Sequence, residues 1–336
     1  MLRSAIRTNG FDLEILVSNT NQKATSPARA SELTLLQEAK LQTRRKRIKS
    51  DTLTPDQRAD CQRIIGIDFG EKYAAGVVCK KLASYGNDGE GNLTYDPKED
   101  AEGHIRFLTI KTAALSQPTR EFLHWSSHAK TEELRVMELK LAREEEESVL
   151  DWFPRWIANY LALCTFYNSR GYKKRQFELA RAQRRELDLA VTGILAMAGR
   201  RRNDKSDFRS DGTVVFSVGD CEIGTPGSIG YYSTFTRYLI KRVRELGYPV
   251  VLHSEHNTSQ CFPIAGYRTV PSGADKIRIK YCAELDMHIH RDVMGGENMA
   301  DVQAAELRNL GRPQHLMTRK QREALSSKAF SQDASK

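Results

Sequence analysis

IIGIDFGEKYAAGVV (residues 64–78) is the stretch on which the fold reading turns. Ile64, Ile65 and Ile67 make a short apolar run that Asp68 stops. After a tight turn at Phe69–Lys72, the run YAAGVVCKKL begins. Two such runs with Asp and Gly between them predict two strands joined by a turn, with order starting at Arg63. The stretch SYGNDGEGNLTYDPKEDAEG (84–103) is acidic and turn-rich, and it reads as a loop. HIRFLTIK (104–111) alternates and reads as a third strand.

Farther along, TVVFSVGD (213–220) is continuously apolar, the pattern of a central strand. A glycine-rich loop (224–232), an amphipathic helix (233–247) closed by Gly247, and a fifth strand in YPVVLHSEHNTS (248–259) follow. Strand–helix–strand favours parallel pairing in this half. A last helix is expected within residues 288–310. Three antiparallel strands led by an Asp, then parallel ones, predict an α/β fold with an RNase H-like (RuvC-type) mixed sheet.

Between the halves lies a long helical insertion, about residues 118–205. Leu134, Met137, Leu139 and Leu141 fall mostly on one face of a helix over 130–150, and Glu144–Glu147 end it. Tyr160, Phe166, Tyr167 and Tyr172 sit near Lys173, Lys174 and Arg175. Helix packing is the simpler reading of these aromatics, base stacking the other. Arg181, Arg184 and Arg185, then Arg200, Arg201 and Arg202, are candidates for phosphate contact, as is Arg291. Residues 1–60 are polar and basic, with the cluster TRRKRIK (43–49), readable as a solvated helix face, a nucleic-acid contact or a nuclear-import signal. Residues 311–336 read as a disordered tail.

Composition agrees with a polyanion as partner. The 336 residues carry a net charge of +9, with 40% hydrophobic and 28% charged residues. No apolar run approaches the ~20 residues of a membrane span. The N-terminus has no signal-peptide pattern, so reduced thiols and an intracellular protein are expected, with no membrane partner. None of the six cysteines forms a C-x-x-C pair.

Hydrolysis of a phosphodiester with two metal ions needs carboxylates brought together from different elements. Asp68 ends the first strand, Glu255 ends the fifth, and Asp292 starts the last helix. Each also has a plain reading: an Asp after a strand forms turns, and an Asp before a helix caps it.

The combination of motifs resembles the RuvC-like half of the TnpB and Fanzor family, transposon-encoded RNA-guided DNA nucleases related to type V CRISPR effectors. IIGIDFGEKYAAGVV is similar to the family's first strand pair. SVGD (217–220), the glycine-rich loop, the helix and VVLHSEHNTSQC (250–261) follow its order, and HRDVMGGENM (290–299) resembles its closing motif. FYNSRGYKKRQFELARAQRRE (166–186) resembles its helical insert. Typical TnpB proteins carry the second acid inside the strand occupied here by VVFSVGD. Glu255 instead stands just before T-S-x-x-C, which is the Fanzor placement.

The resemblance covers about residues 63–310. It implies that Asp68, Glu255 and Asp292 bind Mg²⁺ or Mn²⁺, that DNA and a guide RNA are partners, and that the location is nuclear. It also implies a zinc-binding insertion at about 257–288. There Cys261 and Cys282 remain as zinc ligands, while Ile264 and Leu285 stand where their partner cysteines belong. Two thiolates alone do not close a zinc site, and His288 and His290 are the residues that would complete it. Met294 replaces the Asn of the closing motif, and 60 polar residues precede the nuclease half where the family has larger domains. A nucleic-acid-binding remnant without cleavage is the alternative. IGIDFGEKYAAGV also resembles the first phosphate loop of actin/Hsp70-like ATPases, with VGDCEIG (218–224) as the second.

Overall fold

In the computed structural model, Ile64, Ile65 and Ile67 are wholly shielded from solvent and belong to the middle strand of a five-stranded sheet. The structure describes residues 2–8, 13–19, 49–96, 106–141, 148–199, 214–220, 231–273, 278–319 and 321–323. They fall into two compact units: Lys49–Gln117 with Gln183–Lys336, and Met1–Ile48 with Pro118–Ala182.

In chain order the strands are β1 (Leu2–Thr8), β2 (Leu13–Asn19), β3 (Arg63–Asp68), β4 (Tyr73–Lys81), β5 (Tyr85–Asn87), β6 (Leu93–Tyr95), β7 (Arg106–Lys111), β8 (Val214–Gly219), β9 (Val250–His253), β10 (Val270–Pro271), β11 (Ile279–Cys282) and β12 (Met287–His290). The helices are α1 (Pro55–Ala59), α2 (Thr112–Ala129), α3 (Glu132–Leu141), α4 (Val149–Tyr167), α5 (Arg170–Met197), α6 (Tyr231–Glu245) and α7 (Arg291–Leu307).

In the first of these units the sheet order is β7-β4-β3-β8-β9. β3 pairs antiparallel with β4, and β4 with β7, while β3, β8 and β9 run parallel. The fold is therefore α/β with a mixed sheet. α7 lies on it at very short range. A Cβ added at Gly76 would stand 2.0 Å from the Asp292 carbonyl oxygen, and one at Gly66 would stand 2.0 Å from that of Gly296. Only glycine permits that approach, and it brings the start of α7 beside the end of β3, because Gly76 pairs with Asp68. By strand alternation Ile64, Gly66 and Asp68 face α7, and Ile65 and Ile67 face the other way.

α6 forms because Phe235, Leu239 and Val243 recur every four residues and are all buried. It is closed by Gly247 at φ 83°.

A buried ion-pair cluster lies in this core. Lys80, 1% exposed, puts Nζ 2.8 Å from Glu297 and 2.9 Å from Asp301. The Tyr85 hydroxyl donates to the same Asp301 carboxylate at 2.7 Å. Burial alone would pull the Lys80 ammonium down, but Asp301 and Glu297 more than offset it, so its pKa is raised.

Three local expectations need correction. Residues 84–103 are not all loop, since β5 and β6 form a hairpin there. Its turn is tied by the Asp88 carboxylate, which accepts from the Glu90 and Asn92 amides at 3.0 and 2.8 Å. Residue 311 is not where order stops. Leu316 is fully buried with Cys261 and Val302, so one apolar pair, Leu316–Met317, fastens an otherwise polar segment. Asp292 is not a helix cap: the cap is His290, and Asp292 sits inside the first turn of α7.

The second unit is built mainly from α3, α4 and the adjoining parts of α2 and α5. Phe166 and Tyr167 have ring centroids 5.4 and 5.0 Å from that of Tyr172, the packing expected of them, while Tyr160 is 44% exposed with its ring 5.0 Å from that of Trp156. A single helix over 130–150 does not form, because α3 ends at Leu141 and α4 starts at Val149. Leu134 is buried, whereas Leu139 is 75% exposed and lies off the packed face. Glu144–Glu147 lie outside the described residues. β1 and β2 pair antiparallel. No described helix is long and apolar enough to cross a membrane.

Candidate functional site

Three parallel strands set one end of the sheet. β3 ends at Asp68, β8 at Gly219 and β9 at His253, and Gly219 is in register with His253. Glu255 follows β9 by two residues. Its carboxylate folds over the end of β8, where a Cβ on Gly219 would be 2.1 Å from Oε1. Gly295, one turn into α7, makes the matching space for Asp68, since a Cβ there would be 2.1 Å from Oδ2. Any larger residue at either position would displace a carboxylate.

Asp68 is 5% exposed and Asp292 1%. The Asp68 carboxyl is pushed well above its ordinary pKa, first by burial, then by the negative charges of Glu255 and Asp292; Arg291 opposes the shift. The three acids from separate elements thus act on one another at one strand end. Asp292 also has cationic neighbours. Arg278 Nη1 donates to its two oxygens at 3.3 and 3.1 Å, and Arg291 Nε donates to Oδ1 at 3.3 Å. Among the described residues no three His, Cys, Asp or Glu side chains close around a single ion position. The acids form an open cluster in which Asp292 is turned to arginines.

Carboxylates whose charges bear on the buried Asp68, with glycines making room for Asp68 and Glu255, offer a divalent cation the charge and donor type it takes. Asp68, Glu255 and Asp292 are the residues that would hold it.

The zinc expectation has no such fit. Cys261 is buried beside Val302 and Leu316, with Sγ 3.8 Å from the His315 carbonyl oxygen, and burial raises its pKa despite Arg268 and Arg322. Cys282, fully buried on β11, donates to the Glu284 carboxylate at 3.5 Å. His288 contacts the Ser272 hydroxyl at 3.0 Å, and the His290 ring packs on Tyr73 at 4.8 Å. These four donors engage four different neighbours, and among the described residues no three of them close around one ion position. Ile264 packs against an apolar cluster and Leu285 is 38% exposed, so neither position is prepared for a ligand.

Of the arginines, Arg181, Arg184 and Arg185 lie on α5 at spacings that share a helix face, and all three are exposed. Arg291 faces Asp292. Arg200, Arg201 and Arg202 lie outside the described residues, as do the glycine-rich loop up to residue 230, residues 43–48 of the basic cluster and VGDCEIG from Cys221 on. Sequence reading did not find Arg278, whose pairing with Asp292 spans 14 residues and leaves no periodic signal. Nor did it find Gly219 and Gly295, although a strand ending in Gly where an acid was expected was a usable sign.

No protein-family profile matches the chain, and no curated protein does. Two solved structures are similar to it at low identity. One is the cryo-EM structure of CasPhi-2 (Cas12j) bound to crRNA, at TM-score 0.35 and 10% identity, covering 81% of this chain and 53% of that one. The other is the mini-RNA-guided endonuclease CRISPR-Cas_phi3, at TM-score 0.35 and 12% identity, covering 73% of this chain and 46% of that one. The chain spans about half the length of these two proteins.

Proposed function

We propose that the sheet-bearing unit is an RNase H-like, RuvC-type endonuclease domain of the TnpB/Fanzor kind, dependent on Mg²⁺ or Mn²⁺, acting on DNA with a guide RNA as partner. One observation carries the reading. Asp68 ends β3 against Gly295 of α7, the Glu255 carboxylate lies over Gly219 at the end of β8, and Asp292, in the first turn of α7, lies over Gly76, the strand partner of Asp68. The sheet's strands, counted from β3, run in the order 3-2-1-4-5. The position of Glu255 adds to it: its carboxylate lies over Gly219, the last residue of the strand within which the resemblance otherwise expects the second acid.

Bound divalent ions in such sites activate water and stabilise the leaving oxygen of a phosphodiester. The chain's own groups have simpler tasks. Asp68 and Glu255 supply negative charge to the site. Arg278 and Arg291 orient Asp292 by direct hydrogen bonds. Arg181, Arg184 and Arg185 would hold nucleic-acid backbone.

A second reading, a nucleic-acid-binding domain that does not cut, is favoured by the cationic partners already on Asp292. The two separate on one experiment. The purified chain is incubated with labelled single- and double-stranded DNA in Mn²⁺ or Mg²⁺, beside Asp68→Ala. The nuclease reading expects metal-dependent product that falls at least about 10²-fold in the variant. Salt-sensitive binding with no product, or equal product from both proteins, removes it.

A further inference from the structure

Phe177 on α5 is 64% exposed, and the nuclease reading gives it no task. Its aromatic neighbours in sequence are packed: Phe166, Tyr167 and Tyr172 lie against one another. At about 100° per residue, Phe177 lies ~140° round the helix from Tyr172. It therefore points away from that packing.

The residues that share its face are cationic. Arg170, Lys174 and Arg181 fall with Phe177 inside an arc of about 60°, and all three are exposed. Arg181 Cζ lies 5.8 Å from the Phe177 ring centroid, a cation–π contact. Among the described residues Arg181 pairs with no carboxylate. Glu178 is the one acid between residues 170 and 181. It stands ~100° round the helix from Phe177. Its carboxylate accepts from Arg175 Nη1 at 3.4 Å and reaches Lys174 Nζ at 3.9 Å, a pair between exposed side chains that is weak.

We propose that Phe177 is a base-stacking residue for a single-stranded nucleic acid, with Arg170, Lys174 and Arg181 taking the flanking phosphates. An exposed ring set among cations suits that ligand: the ring takes the face of a base and the cations take the backbone. An apolar protein surface fits less well, because docking on one ring would bury the charges around it. The chain's charge of +9 favours the same partner. In a duplex the bases are already stacked, so the ring gains nothing there. The proposal rests on the nucleic-acid partner of the reading above and not on cleavage.

The full chain is titrated in EDTA with fluorescent 20-nucleotide single strands of DNA and of RNA, and with a 20-base-pair DNA duplex, across a range of salt. Phe177→Ala is expected to bind single strands about tenfold more weakly, the loss of one base–aromatic stack. Its log–log salt slope stays that of the parent, because no phosphate contact is removed. Its duplex binding is unchanged. Phe177→Trp keeps the parent's affinity, and its added indole fluorescence is quenched by the single strand. Arg181→Gln lowers the salt slope by about one. The strand that shows the larger loss, DNA or RNA, is the one the ring holds.

Thermal melting is read alongside. A Phe177→Ala chain that melts like the parent and binds single strands equally well overturns the proposal. So does an equal loss on single strand and duplex, or a Phe177→Trp chain as weak as Phe177→Ala, because stacking would then not be the cause. A Phe177→Ala chain that melts well below the parent also contradicts it, since the ring would then be packed. A parent chain that binds no polymer removes this proposal and the nucleic-acid partner together. Unchanged variants beside a parent that binds remove this proposal alone. None of these outcomes depends on whether Asp68 supports cleavage.

Discussion

Two charge clusters lie under the same helix, and they differ in where their cations bond. Around Lys80, one ammonium faces Glu297 and Asp301, with the Tyr85 hydroxyl on Asp301. Partners are close, and the cluster ties α7 to β4 and to the β5–β6 hairpin. Around Asp68, like charges face one another and raise its pKa, and the arginines that offset them bond to Asp292. Where one ammonium bonds both carboxylates, it offsets their repulsion directly. Where the arginines bond to one acid of three, a further cation would relieve the repulsion that remains on Asp68. That contrast separates a structural use of buried charge from a functional one on this fold.

The strongest way to break the comparison is to remove the cation of the first cluster. Lys80→Met leaves Asp301 and Glu297 facing each other without that ammonium. Urea unfolding should show a loss of about 3–5 kcal/mol, the scale for removing one partner of a buried pair. A loss under about 1 kcal/mol would mean that Lys80 does not anchor α7.

Next in size is a change of space at the second cluster. Gly295→Ala should not weaken α7 as a helix, because alanine has the higher helix propensity. Its methyl group would stand where the Asp68 carboxylate now lies. Mn²⁺ affinity by calorimetry should fall about 10–100-fold, as for other residues that position metal ligands. Unchanged affinity would separate Gly295 from the site.

The smallest effect concerns pH. Because the folded protein holds a proton on Asp68 more tightly than the unfolded chain does, stability from this group is highest in acid. It is lost as pH rises from about 4 through the raised folded pKa. Without metal, Asp68→Asn should therefore raise the melting temperature at pH 8 and leave it unchanged at pH 4. A gain of equal size at both pH values would point to a cause other than ionisation.

Much of the sheet was legible because its strands are encoded locally. The apolar runs at 64–67 and 214–218 and the alternation at 106–111 each fall on an observed strand. The switch from hairpin spacing to strand–helix–strand spacing marks the change from antiparallel to parallel pairing. The β5–β6 hairpin was missed because its stabilising contacts are distant: Tyr85 reaches Asp301, 216 residues on. Leu139 was misplaced because periodicity alone does not say where a helix stops. At the candidate site, the acids could be named from strand and helix ends. The glycines beside them and the arginines on Asp292 act across elements, and no sequence pattern announces them.

If the carboxylate end of β3 is a cation site, the most direct measurement is an anomalous difference map from crystals grown in Mn²⁺. The predicted result is a peak coordinated by Asp68, with Glu255 and Asp292 oxygens in reach, and Arg278 displaced from Asp292. A well-ordered structure in high Mn²⁺ with no peak there, and with Arg278 still bonded to Asp292, would contradict it.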